Sequence, residues 1–357
     1  MTVRFLVSGV NGVVGSALVA ELARAAPTAE IVGVFRADSS YDEFVATAEG
    51  DVAAQVRPLF VDLADEGAVA TAARNTRTAE HTVAVHCAAD VAWHHSRERM
   101  WAPNVVGTRN FCRLARDTSD RARLVYVSTA YTRPHDWEYR NAYEETKGIA
   151  DRVAREEFPD LRPVTFSCSL VVGRTSDGAI HRFHGLYPLF HVLHRLEPPF
   201  LVGGRSTRID VVPVDWVTSE LATLVQRVAA GDAARDVVAS IGDAAPTFPE
   251  MLRFAVTALN DWRRHRGGSQ LADVPVISFR QWGFLRRSLD TWEVQGINRA
   301  PIGILERLLR SYGPYLADDR VLPPTGVHSP APDPAAYLPT VIRFWLDHQQ
   351  RPVEAVS

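Results

Sequence analysis

Val3-Arg4-Phe5-Leu6-Val7-Ser8-Gly9-Val10-Asn11-Gly12-Val13-Val14-Gly15 opens the chain with an apolar strand, a glycine turn and the first residues of a helix. The run Val3–Ser8 has strand character, and from Val13 to Arg24 the apolar residues recur at three- and four-residue spacing, which marks a helix. Between them the glycines fall as Gly-x-x-Gly-x-x-Gly. Glycine triplets alone occur in many turns, but at a strand-to-helix junction they have a specific use. They let the backbone turn tightly, let a pyrophosphate approach closely and let the helix pack on the strand, while the helix N-terminus offers free N–H groups and a positive dipole end. Gly9, Asn11, Gly12, Val13 and Gly15 are therefore the candidate phosphate contacts.

Working outward, the alternation continues. Strand-like runs at Ile31–Arg36, Leu59–Val61, Thr82–Cys87 and Leu124–Ser128 are separated by helical patterns at Glu66–Ala73 and Val105–Arg116, with a less regular insert at Ser39–Val56. A helix around Tyr143–Arg155, a strand at Pro163–Val172, a helix at Asp215–Ala229 and a strand at Asp236–Ile241 follow. This rhythm predicts an α/β fold, a doubly wound parallel sheet of right-handed βαβ units. Ala179–Leu196 reads as an amphipathic helix. Residues 243–357 carry Trp262, Trp282, Trp292 and Trp345 without a βαβ rhythm, and predict a smaller, mainly helical substrate lobe. Within it, Pro323–Gly326 and Ser329–Pro334 read as linker-like loops before a last helix, Ala335–His348.

Composition narrows the class of protein. A net charge of −3 over 357 residues gives no reason to expect nucleic acid as a partner. No stretch reaches the length of apolar residues that a membrane span needs, and no leader is apparent at the N-terminus. Cys87, Cys112 and Cys168 are odd in number and widely spaced, the pattern of core thiols in a reduced, cytoplasmic protein. Neither they nor the histidines suggest a metal site. His181, His184, His191 and His194 fit the edge of a packed helix, and His94-His95 reads as a solvated loop.

One basic residue stands apart. Of 39 Lys and Arg residues, Lys147 is the only lysine. Arginine replaces lysine wherever a solvated charge suffices, and fails where a compact three-donor ammonium must reach one place. Tyr143 lies four residues earlier on the same predicted helix, so both project from one face. A phenol with a pKa of about 10 exchanges protons poorly at neutral pH, and a neighbouring ammonium with an oxidised nicotinamide would favour its phenolate. Thr129, at the end of the strand Leu124–Ser128, is placed to polarise a carbonyl, with Ser128 as runner-up because alternation lets only one of the two face the site. Arg36 ends the second strand where an NAD-selective site usually has a carboxylate. A guanidinium there pairs with a 2′-phosphate, which argues for NADP(H), with Asp38 on a ribose as the alternative.

With these residues in view, the chain resembles the extended short-chain dehydrogenase/reductase family over roughly residues 3–242. The likeness rests on Gly9-x-x-Gly12-x-x-Gly15, Asp62-Leu63, His86-Cys87-Ala88-Ala89, Asn104-Val105-Val106-Gly107-Thr108 and Thr129/Tyr143/Lys147. Within that family it is most similar to the thioester reductase and fatty acyl-CoA reductase branch. The matching pieces are Val34–Ala37, Ala88–Trp93, Val127–Tyr131, Ser169-Leu170-Val171-Val172-Gly173 and Asp210–Val217. Ser167-Cys168-Ser169 departs from the Arg-Pro-Ser usual before Val-Val-Gly, and Tyr143 comes only 14 positions after Thr129.

The resemblance implies an NADP-binding Rossmann domain over 1–242, with 175–210 contributing to the substrate lobe, and a lobe over 243–357. It further implies that Asp62 holds the adenine, that Leu63, Ala88, Ala89, Ser169 and Leu170 line the cofactor, and that Asn104 supports the active-site helix and strand. The implied activity is NADPH-dependent reduction of an acyl thioester to aldehyde or alcohol. A ketone or alcohol oxidoreductase, a sugar-nucleotide epimerase or dehydratase, and a non-catalytic NADP-binding regulator are the alternatives. Ten arginines against five acids between Arg253 and Arg310 would suit an acyl or peptidyl carrier protein, and Arg263, Arg264 and Arg266 are the residues on which such docking would rest.

Overall fold

Seven of the apolar runs become one sheet: β1 (Val3–Ser8), β2 (Glu30–Phe35), β3 (Val56–Phe60), β4 (Ala79–His86), β5 (Ser119–Thr129), β6 (Val164–Cys168) and β7 (Val237–Ala239). The computed structural model describes residues 3–76, 78–132, 138–291 and 300–349, and Trp292 lies outside them. Every pairing is parallel, in the order β7-β6-β5-β4-β1-β2-β3. The order reverses between β1 and β4, and at such a switch point the crevice beyond the strands' C-terminal ends is where ligands bind.

Both faces of the sheet are covered. Helices Val13–Ala25 and Val214–Ala229 pack together on one face. On the other, Gly107–Asp117 packs between Glu66–Asn75 and Ala142–Glu157. There Phe111, Leu114, Val153 and Phe158 meet Leu6, Val32, Ala84 and Leu124 in one apolar cluster. At about 1.5–3 kcal/mol for each large side chain removed from water, this layer holds the helices that carry the candidate site.

The chain divides into two units, of which the first contains Met1–Ser169, Val214–Ser240 and Pro324–Ala331. The last of these segments was expected to be a linker. Instead Thr325 forms a two-way antiparallel bridge with Val238. The buried Glu220 carboxylate accepts from the N–H of His328, from the N–H of Ser329 at 2.9 Å and from the Ser329 hydroxyl at 2.5 Å. Three donors hold a charge that would otherwise be costly to bury.

The second unit takes Leu170–Pro213, Ile241–Pro323 and Pro332–Ser357. Two short parallel ladders, Leu170–Val172 with Val211–Pro213 and Leu201–Val202 with Val276–Ile277, sit among helices Tyr187–Leu196, Phe248–Arg264, Phe279–Thr291, Ala300–Leu316 and Pro334–Asp347. Phe248–Arg264 opens on a capping box between Thr247 and Glu250, and packs along Pro334–Asp347.

Three expectations change in detail. The run Pro163–Val172 is two strands, because adjacent residues bond different partners: Ser169 donates its N–H to Ala239, and Leu170 donates to Asp210. The helix expected over Ala179–Leu196 begins only at Tyr187, since Gly178 and Gly185 sit at φ +72° and +64°, outside any right-handed helix. The insert Ser39–Val56 contains a helix, Asp38–Thr47, pinned by the buried ring of Phe44.

Candidate active site

The turn after β1 is built from glycine because nothing larger fits. Gly9 has φ +71°, and a Cβ there would lie 2.5 Å from the backbone nitrogen of Ala88; one on Gly15 would lie 2.1 Å from the carbonyl oxygen of Gly9. The turn closes with Gly12 N–H donating to Gly9 O at 2.8 Å, and Gly12 then caps the helix that starts at Val13. Its first-turn N–H groups lack helical acceptors, as a phosphate cradle requires. Asn11 donates from Nδ2 to Ser40 O at 2.5 Å and to Glu43 Oε2 at 3.2 Å.

At the end of β2, Arg36 is exposed, one residue beyond the strand, and Asp38 opens the next helix. The backbone there is braced by an aromatic group that the sequence reading missed. Phe35 lies 5.1 Å from Tyr41, 5.5 Å from Phe44 and 6.4 Å from Phe60, between ring centroids. Asp62 is exposed just past β3 and accepts from Ala64 N–H, while Leu63 reaches the core and its carbonyl accepts from Asn110. Ala88 and Ala89 follow β4, and Ala88 N–H donates to the Ser8 hydroxyl.

Thr129 ends β5, and Tyr143 and Lys147 lie one turn apart on the helix Ala142–Glu157. That helix starts where the Asn141 side chain accepts the Glu144 N–H. Lys147 is buried. Its ammonium donates to Val127 O at 2.7 Å and lies 4.2 Å from the centre of the Tyr126 ring, whose hydroxyl in turn donates to the Lys147 carbonyl at 3.2 Å. The lysine thus ties its helix to the strand that ends in Thr129. Thr129 Oγ1 accepts from Tyr131 N–H, and Ser128 Oγ faces Thr132 Oγ1 at 3.4 Å.

Burial lowers the Lys147 ammonium to about 8, an effect opposed by Cys87, Asp151 and Cys168. Burial also dominates at Tyr143, with help from Cys168 and Glu144, and holds its phenol well above the ordinary tyrosine range. Burial thus favours the neutral phenol at Tyr143. A neutral phenol is what a proton donor needs. Glu144 remains a buried neighbour of Tyr143 because Arg140 pairs with it at 2.9 Å.

Behind these groups runs a buried chain of hydrogen bonds. Asn104 lies in a π-helical turn, Ala102–Val106, a local irregularity frequent at functional sites. Its Oδ1 accepts from Asp90 N–H at 2.7 Å, and its Nδ2 donates to Asp90 O and to Thr146 Oγ1, both at 3.0 Å. The Thr108 hydroxyl donates to Asn104 O, so it accepts from His86 Nε2–H at 3.0 Å, which leaves His86 Nδ1 to accept from Ser8 Oγ at 2.6 Å. Burial and the Lys147 charge keep His86 neutral, as that pattern demands. Only the alternation that buries Ser8 and His86 at their strand ends hints at this network in the sequence.

Other expectations need correction. His95 is not a solvated loop residue: its Nδ1 pairs with Asp90 Oδ2 at 2.7 Å. The arginine surplus is largely spent within its own unit. Arg264 pairs with Asp261, Arg266 with Asp347 and Arg286 with Glu306. Arg263 is buried against Glu197 at 2.6 Å and the His194 carbonyl at 2.9 Å, so it is a packing residue. Burial pushes the thiols of Cys87, Cys112 and Cys168 up to about 12, which keeps them unreactive; Cys112 and Cys168 are core groups and Cys87 is half-buried. Among the described residues there is no group of three metal-ligating side chains, and no helix is long and apolar enough to cross a membrane. Ser169 and Leu170 fall at the end of the first unit and the start of the second.

Comparison with known proteins agrees with this fold. The sequence model of one family, described as male sterility protein, matches residues 7–139 and 135–221. No curated protein matches the chain. Among solved structures, the terminal R domain from the myxalamid PKS-NRPS biosynthetic pathway aligns over 98% of this chain and 92% of its own, with 18% identity and a TM-score of 0.69. A thiolation-reductase di-domain from an archaeal non-ribosomal peptide synthetase aligns over 99% of this chain and 77% of its own, with 14% identity and a TM-score of 0.66. A putative epimerase from Burkholderia cenocepacia J2315 aligns over 97% and 98%, with 19% identity and a TM-score of 0.57. At these identities the structures share the fold. The family match spans more than half of the chain, which belongs to the male sterility protein family of NAD(P)-dependent oxidoreductases, within the extended short-chain dehydrogenases/reductases.

Proposed function

We propose that this protein is an NADPH-dependent reductase of an acyl thioester, carried on a carrier protein or on coenzyme A, and that Thr129, Tyr143 and Lys147 form its site. The family match carries the reading, because it runs through all three residues and the glycine turn. The likeness to R and thiolation-reductase domains supports a carrier-bound acyl group. The glycine cradle, too tight for a Cβ at Gly9 or Gly15, fits a dinucleotide pyrophosphate, with Gly9, Gly12, Val13 and Gly15 around it and Ala88 beside it. With its pyrophosphate held on that turn, the dinucleotide would supply the hydride that the carbonyl carbon gains. Thr129 and Tyr143 donate hydrogen bonds to the carbonyl oxygen as it gains charge, and Tyr143 transfers its proton where one is needed. Lys147 stabilises the phenolate left behind, and Asn104 holds the helix of both residues against the loop that starts at Asp90.

The test is a substrate panel. NADPH oxidation is expected with acyl-carrier or acyl-CoA thioesters, with release of free thiol. Oxidation confined to simple ketones and aldehydes would replace this proposal with the carbonyl-reductase alternative.

Cofactor choice is tested separately. Arg36, exposed at the end of β2 with no carboxylate in its place, is proposed to pair with the 2′-phosphate. Arg36→Glu is expected to raise the KM for NADPH by about tenfold or more while NADH suffers less, since a charge-assisted pair becomes a repulsive one. An unchanged NADPH/NADH ratio would assign the 2′-phosphate to other residues.

A further inference from the structure

The candidate active site occupies the C-terminal edge of the sheet; the opposite edge carries a second concave, charged feature. An open cavity of about 490 Å³ is lined by Arg123, Arg155 and Arg162, set between Pro159, Pro163 and Val164, and none of its lining residues is acidic. Its volume is that of a small-molecule site. Arg123 lies in the first half of β5, and Val164 is the first residue of β6. The position is therefore remote along the strands from Thr129.

The three guanidiniums are not equivalent. Arg155 is already engaged, with Asp151 at 3.0 Å, Asp236 at 2.8 Å and Thr165 Oγ1 at 2.6 Å. Among the described residues no carboxylate pairs with Arg123 or Arg162. Arg123 Nε is buried without a hydrogen-bond partner, an expensive state for a charged donor. Arg162 is held in the left-handed region, at φ 44° and ψ 64°, where its N–H donates to Pro159 O. A non-glycine residue in this region costs free energy that the surrounding structure must offset. Burial, and after it the charge of Arg162, lowers the Arg123 guanidinium from its ordinary value, so the two cations sit close enough to repel.

We propose that this cavity is a second anion site, which binds the phosphoryl group of a small molecule through Arg123 and Arg162, with Arg155 as a fixed wall. A phosphoryl dianion presents several oxygens to guanidinium forks arriving from different elements, and it relieves the repulsion between them. A single carboxylate offers one face and one charge. The site does not depend on the reductase reading, since it shares no residue with it.

Calorimetric titration of the full chain, saturated with its dinucleotide so that the glycine turn is filled, tests the proposal at constant ionic strength. One inorganic pyrophosphate is expected to bind per chain. Arg162→Gln, at an exposed position where folding is not at stake, is expected to weaken it by about tenfold or more, and Arg162→Lys by less. Dinucleotide affinity stays unchanged in both. Adenosine monophosphate and inorganic phosphate distinguish the source: equal affinities mean the phosphoryl group alone is read, and tighter nucleotide binding means a phosphorylated organic ligand. Absence of saturable binding to the unsubstituted protein, or unchanged pyrophosphate affinity in Arg162→Gln, would overturn the assignment.

Discussion

A Lys147→Arg protein is expected to keep its positive charge and to lose reductase activity by about 10²–10⁴-fold in kcat/KM, the span that positioned proton-transfer groups contribute. The ammonium is enclosed between Val127 O at 2.7 Å and the Tyr126 ring at 4.2 Å, with 3% of the residue exposed. A guanidinium is longer, planar and rigid, and its five donors could not all be satisfied in that space. Tyr126 is itself fixed by its hydrogen bond to the Lys147 carbonyl, so it cannot swing aside without loosening the helix. The pH profile adds a second readout. With the Lys147 pKa lowered to about 8, the ammonium is present below that pH and lost above it. The kcat/KM of the unsubstituted protein is therefore expected to fall as pH rises through about 8. Arginine does not titrate there, so the residual activity of the variant is expected to be flat over the same interval. Wild-type rates in Lys147→Arg would place this lysine outside the chemistry.

How much of this was legible in the sequence depends on the range over which each feature is encoded. The βαβ alternation, the turn Gly9–Gly15 and the Tyr143/Lys147 spacing are local signals, and the parallel sheet that follows from the alternation is the one observed. Whatever depends on a distant partner was not legible. Ser169 and Leu170 look like one continuous strand, yet their N–H groups bond to Ala239 and Asp210 respectively. Nothing local in 324–331 announces that Thr325 joins β7 or that Ser329 satisfies Glu220. The motif Asp210–Val217 is explained by the same logic. Its Asp210 carboxylate accepts from the N–H groups of Ile241 and Gly242, and its Trp216 donates to Ser329. Charge counting failed for a related reason. Ten arginines against five acids describes a segment, whereas Glu197 and Asp347, which neutralise Arg263 and Arg266, lie outside it. Protonation was the least legible property. An ammonium four residues away suggested a phenolate at Tyr143, but burial, with Cys168 and Glu144, raises the phenol above its ordinary range.

That neutral phenol leads to the other large effect. A Tyr143→Phe protein is expected to bind its dinucleotide normally and to fold normally, since the ring is retained and only one oxygen of a half-buried residue is lost. Its defect should depend on which reduction is measured. When hydride adds to a thioester, the oxyanion can collapse to the aldehyde by expelling the thiolate, so the carbonyl oxygen needs stabilisation and no net proton. When hydride adds to an aldehyde, the alkoxide has no leaving group and must take a proton to become the alcohol. Thr129 alone can still hydrogen-bond the oxygen in the first case; no hydroxyl in the proposed trio other than Tyr143 is placed to lose a proton beside Lys147 in the second. The alcohol-forming step is therefore expected to drop by about 10⁴-fold, the upper end of what a positioned proton donor contributes. The thioester step, which loses one of two oxyanion donors, is expected to drop by about 10²-fold. If the unsubstituted protein carries the acyl group to the alcohol, the variant should accumulate aldehyde, which single-turnover product analysis would detect. Equal losses in both steps would mean that Tyr143 acts only as a hydrogen-bond donor, and no loss in either would remove it from the site.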